Sequence, residues 1–207
     1  MQWVSGSAPG FRIDRARATG YNEGSWPGRA GNPAPTGTFS AGGYSMETTL
    51  VQLPEIAIIG MEGFCTPGHN VAPELWARAN ARFDDVAPLG MREKDGSYVG
   101  FWGAMSDETM SFLPWTEGFT QGFYLAGLEV NRDARPPEGW TKWVMPARTY
   151  LVVDVCPERY GEIFHDVLEN VLPERKLRLS GGVCDYTEPA TGKSKLFFPV
   201  EPVPPGE

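Results

Sequence analysis

Gln121-Gly-Phe-Tyr-Leu-Ala-Gly-Leu-Glu-Val-Asn-Arg132 is the stretch whose reading decides the fold. Aromatic and aliphatic residues run here without helical spacing, between turn-forming residues, which predicts a β-strand. Side chains alternate across a strand, so Tyr124, Ala126, Leu128 and Val130 share one face, and Phe123, Leu125, Gly127 and Glu129 share the other. The first face is small and aliphatic enough to receive helices. The second carries a lone carboxylate beside an aromatic ring, with a glycine leaving space in front of it. Burying an unpaired carboxylate costs several kcal/mol (roughly, after relaxation). Glu129 therefore either points at water or anchors a ligand cavity.

Working outward, the chain predicts a strand at Ile56–Gly60, then a loop and a helix opened by Pro73 and Glu74 with an apolar stripe of Ala72, Leu75, Trp76, Ala79 and Phe83. A further strand is expected near Tyr98–Trp102. After Pro136–Gly139 the plan recurs: a strand at Thr149–Asp154, a helix opened by Pro157 and Glu158, and strands near Gly182–Tyr186 and Lys195–Val200. An offset of 92 residues carries Pro54 onto Pro146, and Ala72, Leu75, Trp76 and Ala79 onto Phe164, Val167, Leu168 and Val171. The expected fold is α+β. Duplicated strand–helix–strand–strand units form an antiparallel sheet with two helices on one face and a ligand pocket on the other.

Met1–Ser45 differs from the rest. It is rich in Gly, Ala, Pro, Ser and Arg, and its apolar residues are too scattered to bury a core, which predicts a flexible or disordered N-terminal extension before a domain at 46–207. One expectation is that Met46 is the biological start; the alternative is an arm covering the pocket with Trp3, Phe11, Tyr21 or Trp26. The extension carries +2, which leaves −10 for the remainder of a chain whose net charge is −8. Such a balance argues against direct nucleic-acid binding and favours cationic ligands. Cys65, Cys156 and Cys184 lie far apart and only two histidines, His69 and His165, are present, so neither a disulfide framework nor a metal site is expected. No apolar run approaches the ~18 residues of a membrane span, and a reducing cytoplasm fits best. No cofactor motif is found.

Leu53-Pro-Glu-Ile-Ala-Ile-Ile-Gly60, Leu75-Trp76, Phe123-Tyr-Leu-Ala-Gly-Leu-Glu-Val130, Met145-Pro-Ala-Arg-Thr-Tyr150 and Phe198-Pro-Val200 follow in that order. Together they resemble the GyrI-like small-molecule-binding domain, which is also the effector-binding domain of multidrug-responsive MerR-type and AraC-type regulators. The resemblance covers about Met46–Glu201. It implies the duplicated fold and a pocket between the halves for bulky, aromatic, often cationic compounds, held by rings and a glutamate. Glu129 matches the glutamate of the family's Ala-Gly-x-Glu strand. Where the family often has Glu-x-Tyr, this chain has Val183-Cys-Asp-Tyr186, so Tyr186 is kept, Cys184 replaces the acid and Asp185 points to the opposite face. The ligand-binding set expected from residues and resemblance together is Glu129, Trp76, Phe123, Trp102, Trp143, Tyr150, Cys184 and Tyr186. The resemblance leaves three functions open. The first is stand-alone binding of hydrophobic or cationic aromatic small molecules, for sensing or sequestration. The second is hydrolysis of strained cyclopropane-containing genotoxins, with Glu129 as acid or base and Tyr150 or Tyr186 assisting. The third is contact with a protein partner of the gyrase type.

Overall fold

The computed structural model describes residues 37–41 and 44–204, and the side chains from Met46 onward. The expectations for the N-terminal extension therefore fall outside the described residues as far as position 36; beyond it the chain enters the sheet. Ten strands form one antiparallel sheet: β1 (Gly37–Ala41), β2 (Tyr44–Leu53), β3 (Ile56–Cys65), β4 (Phe101–Ser106), β5 (Gly122–Val130), β6 (Thr141–Met145), β7 (Arg148–Val155), β8 (Leu177–Leu179), β9 (Cys184–Thr187) and β10 (Ser194–Pro202). Their order is β1-β2-β7-β10-β9-β4-β5-β3-β6, with β8 on β10. Among the described residues, four α-helical pieces interrupt them: α1 (Ala72–Ala81), the single turn α2 (Thr116–Phe119), α3 (Tyr160–Asp166) and, after a widened π turn at Val167–Val171, α4 (Leu172–Glu174), with 3-10 turns at Phe83–Asp85, Ala87–Leu89 and Pro157–Arg159. The α1 start is as expected, with Pro73 and Glu74 in its first turn.

Residues paired across neighbouring strands share a face. Leu196 pairs with Asp185, Asp185 with Gly103, and Gly103 with Ala126. Ala126, with Tyr124, Leu128 and Val130, packs with Leu75, Trp76 and Ala79 of α1. Leu196, with Phe198, Leu151 and Val153, packs with Ile163 and Phe164 of α3. Both helices thus lie on one face, as expected.

The other face is concave for a reason set by chain length. β2 and β3 are joined by Pro54-Glu55, and β6 and β7 by Pro146-Ala147. Each pair is six strand spacings apart in the sheet, about 29 Å if the sheet were flat, while two linking residues reach about 11 Å. The sheet must roll until its ends approach each other. Where β3 crosses β5 the backbones come so close that a Cβ on Gly60 would lie 2.5 Å from the Ala126 carbonyl oxygen, and one on Gly127 would lie 2.2 Å from that of Ile59. Inside the roll, Trp102, Tyr150, Phe197, Trp143, Ile58 and Leu125 form a buried cluster. Trp102 and Phe197 meet edge-on at 4.9 Å, Tyr150 and Phe197 at 5.9 Å.

The strands differ from the sequence expectation in two ways. The strand expected near Tyr98–Trp102 lies at Phe101–Ser106, because Ser97 and Asp95 close a turn and Gly103–Ser106 are needed to pair with β5. β1, β2, β6 and the short β8 are additional strands, β1 and the start of β2 falling within the stretch expected to be a flexible extension. β2 was hidden by polar threonines, one of which, Thr48, is fully buried and bonded by Arg175.

Candidate functional site

The described residues enclose a cavity of about 260 Å³ on the helix-bearing face, not the face expected from sequence. α1 covers the β3–β5 side and α3 the β7–β10 side. The cavity opens where the two coverings part, over the β4–β9 seam. Gly103, Tyr124 and Asp185 form its floor, and Trp76, Phe101, Met105, Trp115 and Tyr160 its walls; Glu158, from the turn leading into α3, and Glu162, from the start of that helix, also border it.

A hydrogen-bonded chain organises the floor. The Trp76 indole N–H donates to the Tyr124 hydroxyl at 3.0 Å. Tyr124 donates to Asp185 Oδ2 at 2.8 Å, and Tyr160, from the first turn of α3, donates to Asp185 Oδ1 at 2.6 Å. Asp185 is half-buried and is reached from the cavity. A Cβ on Gly103 would lie 1.9 Å from the Tyr124 hydroxyl and 2.7 Å from Asp185 Oδ2, so only glycine lets phenol and carboxylate meet here. Burial pushes the Asp185 carboxyl above its ordinary range, with the bonds from Tyr160 and Tyr124 opposing. Burial, then the Asp185 charge, pushes both phenols well above theirs, so they stay protonated and act as donors.

Trp115 comes from the β4–β5 connection, which Asp107 shapes. The buried Asp107 accepts from the Thr109 hydroxyl and from the backbone N–H groups of Thr109, Ser111 and Leu113. Burial alone would raise its carboxyl, but these bonds outweigh it and hold the group at about 2. Trp115 then donates to the Phe123 carbonyl at 3.0 Å, which sets its ring against the cavity.

Of the residues nominated from sequence, Trp76 alone turns its ring to this cavity; Tyr186 borders it only from β9, where it is the neighbour of Asp185. The Tyr186 ring turns to the concave face, where it packs against Trp102 at 4.8 Å and Phe197 at 5.4 Å, and Gly100 leaves room for it. Glu129, Trp102, Trp143, Tyr150, Cys184 and Phe123 belong to the concave face. There Glu129 is 3 % exposed and accepts from the Trp102 indole at 3.1 Å, while Trp143 donates to Glu62 at 2.7 Å. Burial pushes the Cys184 thiol up to about 12, and its sulfur lies 3.7 Å from Met145 Sδ. Burial likewise raises the Tyr150 phenol.

Sequence reasoning missed Asp185, Tyr124 and Tyr160. One signal was present: Tyr124 is the lone phenol in an otherwise aliphatic stripe turned toward a helix. Among the described residues, no cluster of His, Cys, Asp and Glu could hold a metal ion, and no helix is long and apolar enough to cross a membrane.

No family model matches the sequence. The chain is similar to the transcriptional regulator BrlR of Pseudomonas aeruginosa, at 26 % identity over 142 residues, 67 % of this chain and 47 % of the regulator, so it spans about half the length of that relative. In structure it is similar to SAV2435 bound to tetraphenylphosphonium (TM-score 0.54, 14 % identity, 75 % of this chain and 94 % of that one). It is also similar to the EcmrR C-terminal domain (TM-score 0.52, 13 % identity, 76 % and 99 %). The fold is that of the GyrI-like effector-binding domains.

Proposed function

We propose that this chain binds hydrophobic aromatic cations in the cavity between α1 and α3, with Asp185 supplying the charge and the surrounding rings the flat contacts. The observation that carries the reading is a half-buried carboxylate reached from a ring-walled cavity, held there by two phenols. An organic cation against an aromatic face gains about 0.5–2 kcal/mol, so Trp76, Trp115 and Tyr160 add to the attraction of one carboxylate. Glu158 and Glu162 also border the cavity, with Glu162 paired to Arg159 at 2.7 Å. That SAV2435, of similar fold, is bound to tetraphenylphosphonium supports the same ligand class. The strand order, β3-β5-β4 mirrored by β7-β10-β9 across the seam, supports reading the domain as two copies of one strand–helix–strand–strand unit with the ligand between them.

In this reading Glu129 holds the concave face in place through Trp102. The hydrolytic alternative names Glu129 and Tyr150, which lie across the sheet from the cavity, and the phenols inside the cavity hold their protons tightly. Both points favour binding over turnover. Two tryptophans in the wall make the test direct: intrinsic fluorescence titrated with aromatic cations and their neutral isosteres. Saturable quenching by the cations, weakened in Asp185→Asn, is expected. A flat response to every cation in the panel overturns the proposal.

A further inference from the structure

We infer that the preferred ligand is a compact protonated amine, a cation that carries N–H, and not an onium ion whose charge is sheathed in carbon. The inference rests on the binding function proposed above and narrows its ligand class.

It follows from where the protons in the cavity wall already point. Four aromatic residues there, Trp76, Trp115, Tyr124 and Tyr160, carry one polar hydrogen each, and each gives it to a protein acceptor. Trp76 donates to Tyr124 at 3.0 Å and Trp115 to the Phe123 carbonyl at 3.0 Å. Tyr124 and Tyr160 both donate to Asp185. A hydrogen bond from ring to ligand would have to break one of these first, leaving a buried acceptor without its donor.

Acceptor capacity remains. A carboxylate offers about four lone-pair positions, and the two phenols take one on each Asp185 oxygen. The aromatic wall therefore accepts through Asp185 and does not donate. A neutral carbonyl ligand or an anion finds no partner among these groups. A protonated amine places its N–H on the positions left on Asp185 and makes a charge-assisted bond, while a quaternary onium holds its charge away behind methyl or phenyl groups and makes none. Size points the same way. About 260 Å³ lies just under the range of roughly 300–1,000 Å³ usual for drug-sized ligands, which suits one aromatic ring with a short amine arm.

The experiment is calorimetric titration of the full chain, at neutral pH, with N,N-dimethylphenethylamine and with trimethyl(phenethyl)ammonium, two cations that differ by the replacement of N–H by N–CH₃. The amine is expected to bind about tenfold tighter or better, which is the scale of one charge-assisted bond. In Asp185→Asn the two affinities should come within about twofold of each other. Equal affinity for the pair in the unmodified protein, or tighter binding of the trimethyl compound, overturns this inference and leaves the binding function standing. Binding of neither compound, nor of any larger aromatic cation, overturns both. Should Asp185→Asn not fold, the pair measured on the unmodified protein decides alone.

Discussion

The two faces of the sheet each carry a carboxylate gripped by aromatic donors, and they have come to opposite ends. On the concave face Glu129 takes the Trp102 indole and is almost wholly covered by the rings inside the roll. On the helical face Asp185 takes two phenols and still meets open space. Composition is not the difference, because both faces are rich in Trp, Tyr and Phe. Closure is. Two-residue links roll the sheet inward and press the concave side chains together, whereas each helix covers only its own half and leaves the seam uncovered. One face packs its aromatics against each other and the other leaves some lining open space.

The comparison breaks most sharply at Phe197, which is fully buried and touches Trp102, Tyr150 and Tyr186. Phe197→Ala should cost about 3–5 kcal/mol in chemical denaturation while ligand affinity, measured where the protein is still folded, stays within a few fold. A loss under about 1 kcal/mol would show that the concave face is not a packed core. Next comes Gly103→Ala. Its methyl would enter the space of the Tyr124 hydroxyl, so a loss of about 1–3 kcal/mol is expected in thermal unfolding, together with weaker binding. The two carboxylates can also be compared directly by fluorescence titration. Asp185→Asn should weaken an aromatic cation about tenfold, near 1.4 kcal/mol. Glu129→Gln should change it by less than about twofold in a protein that remains folded; the reverse ranking would move the site to the concave face.

The smallest effect is a pair of opposed pH dependences. Asp107 holds its proton less tightly folded than unfolded, so its stabilisation is present above the ordinary carboxylate pKa near 3.9 and is lost as the pH falls toward about 2. Asp185 holds its proton more tightly folded than unfolded. Its contribution therefore favours the fold at low pH and declines as the pH rises from about 3.9 through the raised folded value. Unfolding free energies measured across pH in Asp107→Asn and Asp185→Asn should lose slopes of opposite sign; equal slopes would remove the distinction between the two aspartates.

What could be read in advance follows the same division. Alternation in Gly122–Val130 correctly turned Tyr124, Ala126, Leu128 and Val130 toward helices, and Pro73-Glu74 and Pro157-Glu158 marked where helical structure begins. These are local signals, carried within a few residues. The place of the cavity is not local. It depends on β2 and β6 lying at opposite ends of the strand order, which turns Pro54-Glu55 and Pro146-Ala147 from ordinary turns into constraints on curvature. β2 mixes threonine with aliphatic residues and β6 has only five residues, so neither announced itself and the roll stayed hidden. Asp185 was legible as facing away from Cys184, but nothing in Val183-Cys-Asp-Tyr186 says that Tyr160, 25 residues earlier, reaches it from a helix.

The seam itself is slight: Phe101 with Thr187, Trp102 with Tyr186, and Gly103 with Asp185. A molecule lodged above that short join would touch Trp76 and Tyr124 on one side and Tyr160 and Asp185 on the other, riveting one half of the domain to its neighbour. Whatever affinity it has then resists their parting, so the melting point should climb with each increment of dissolved cation.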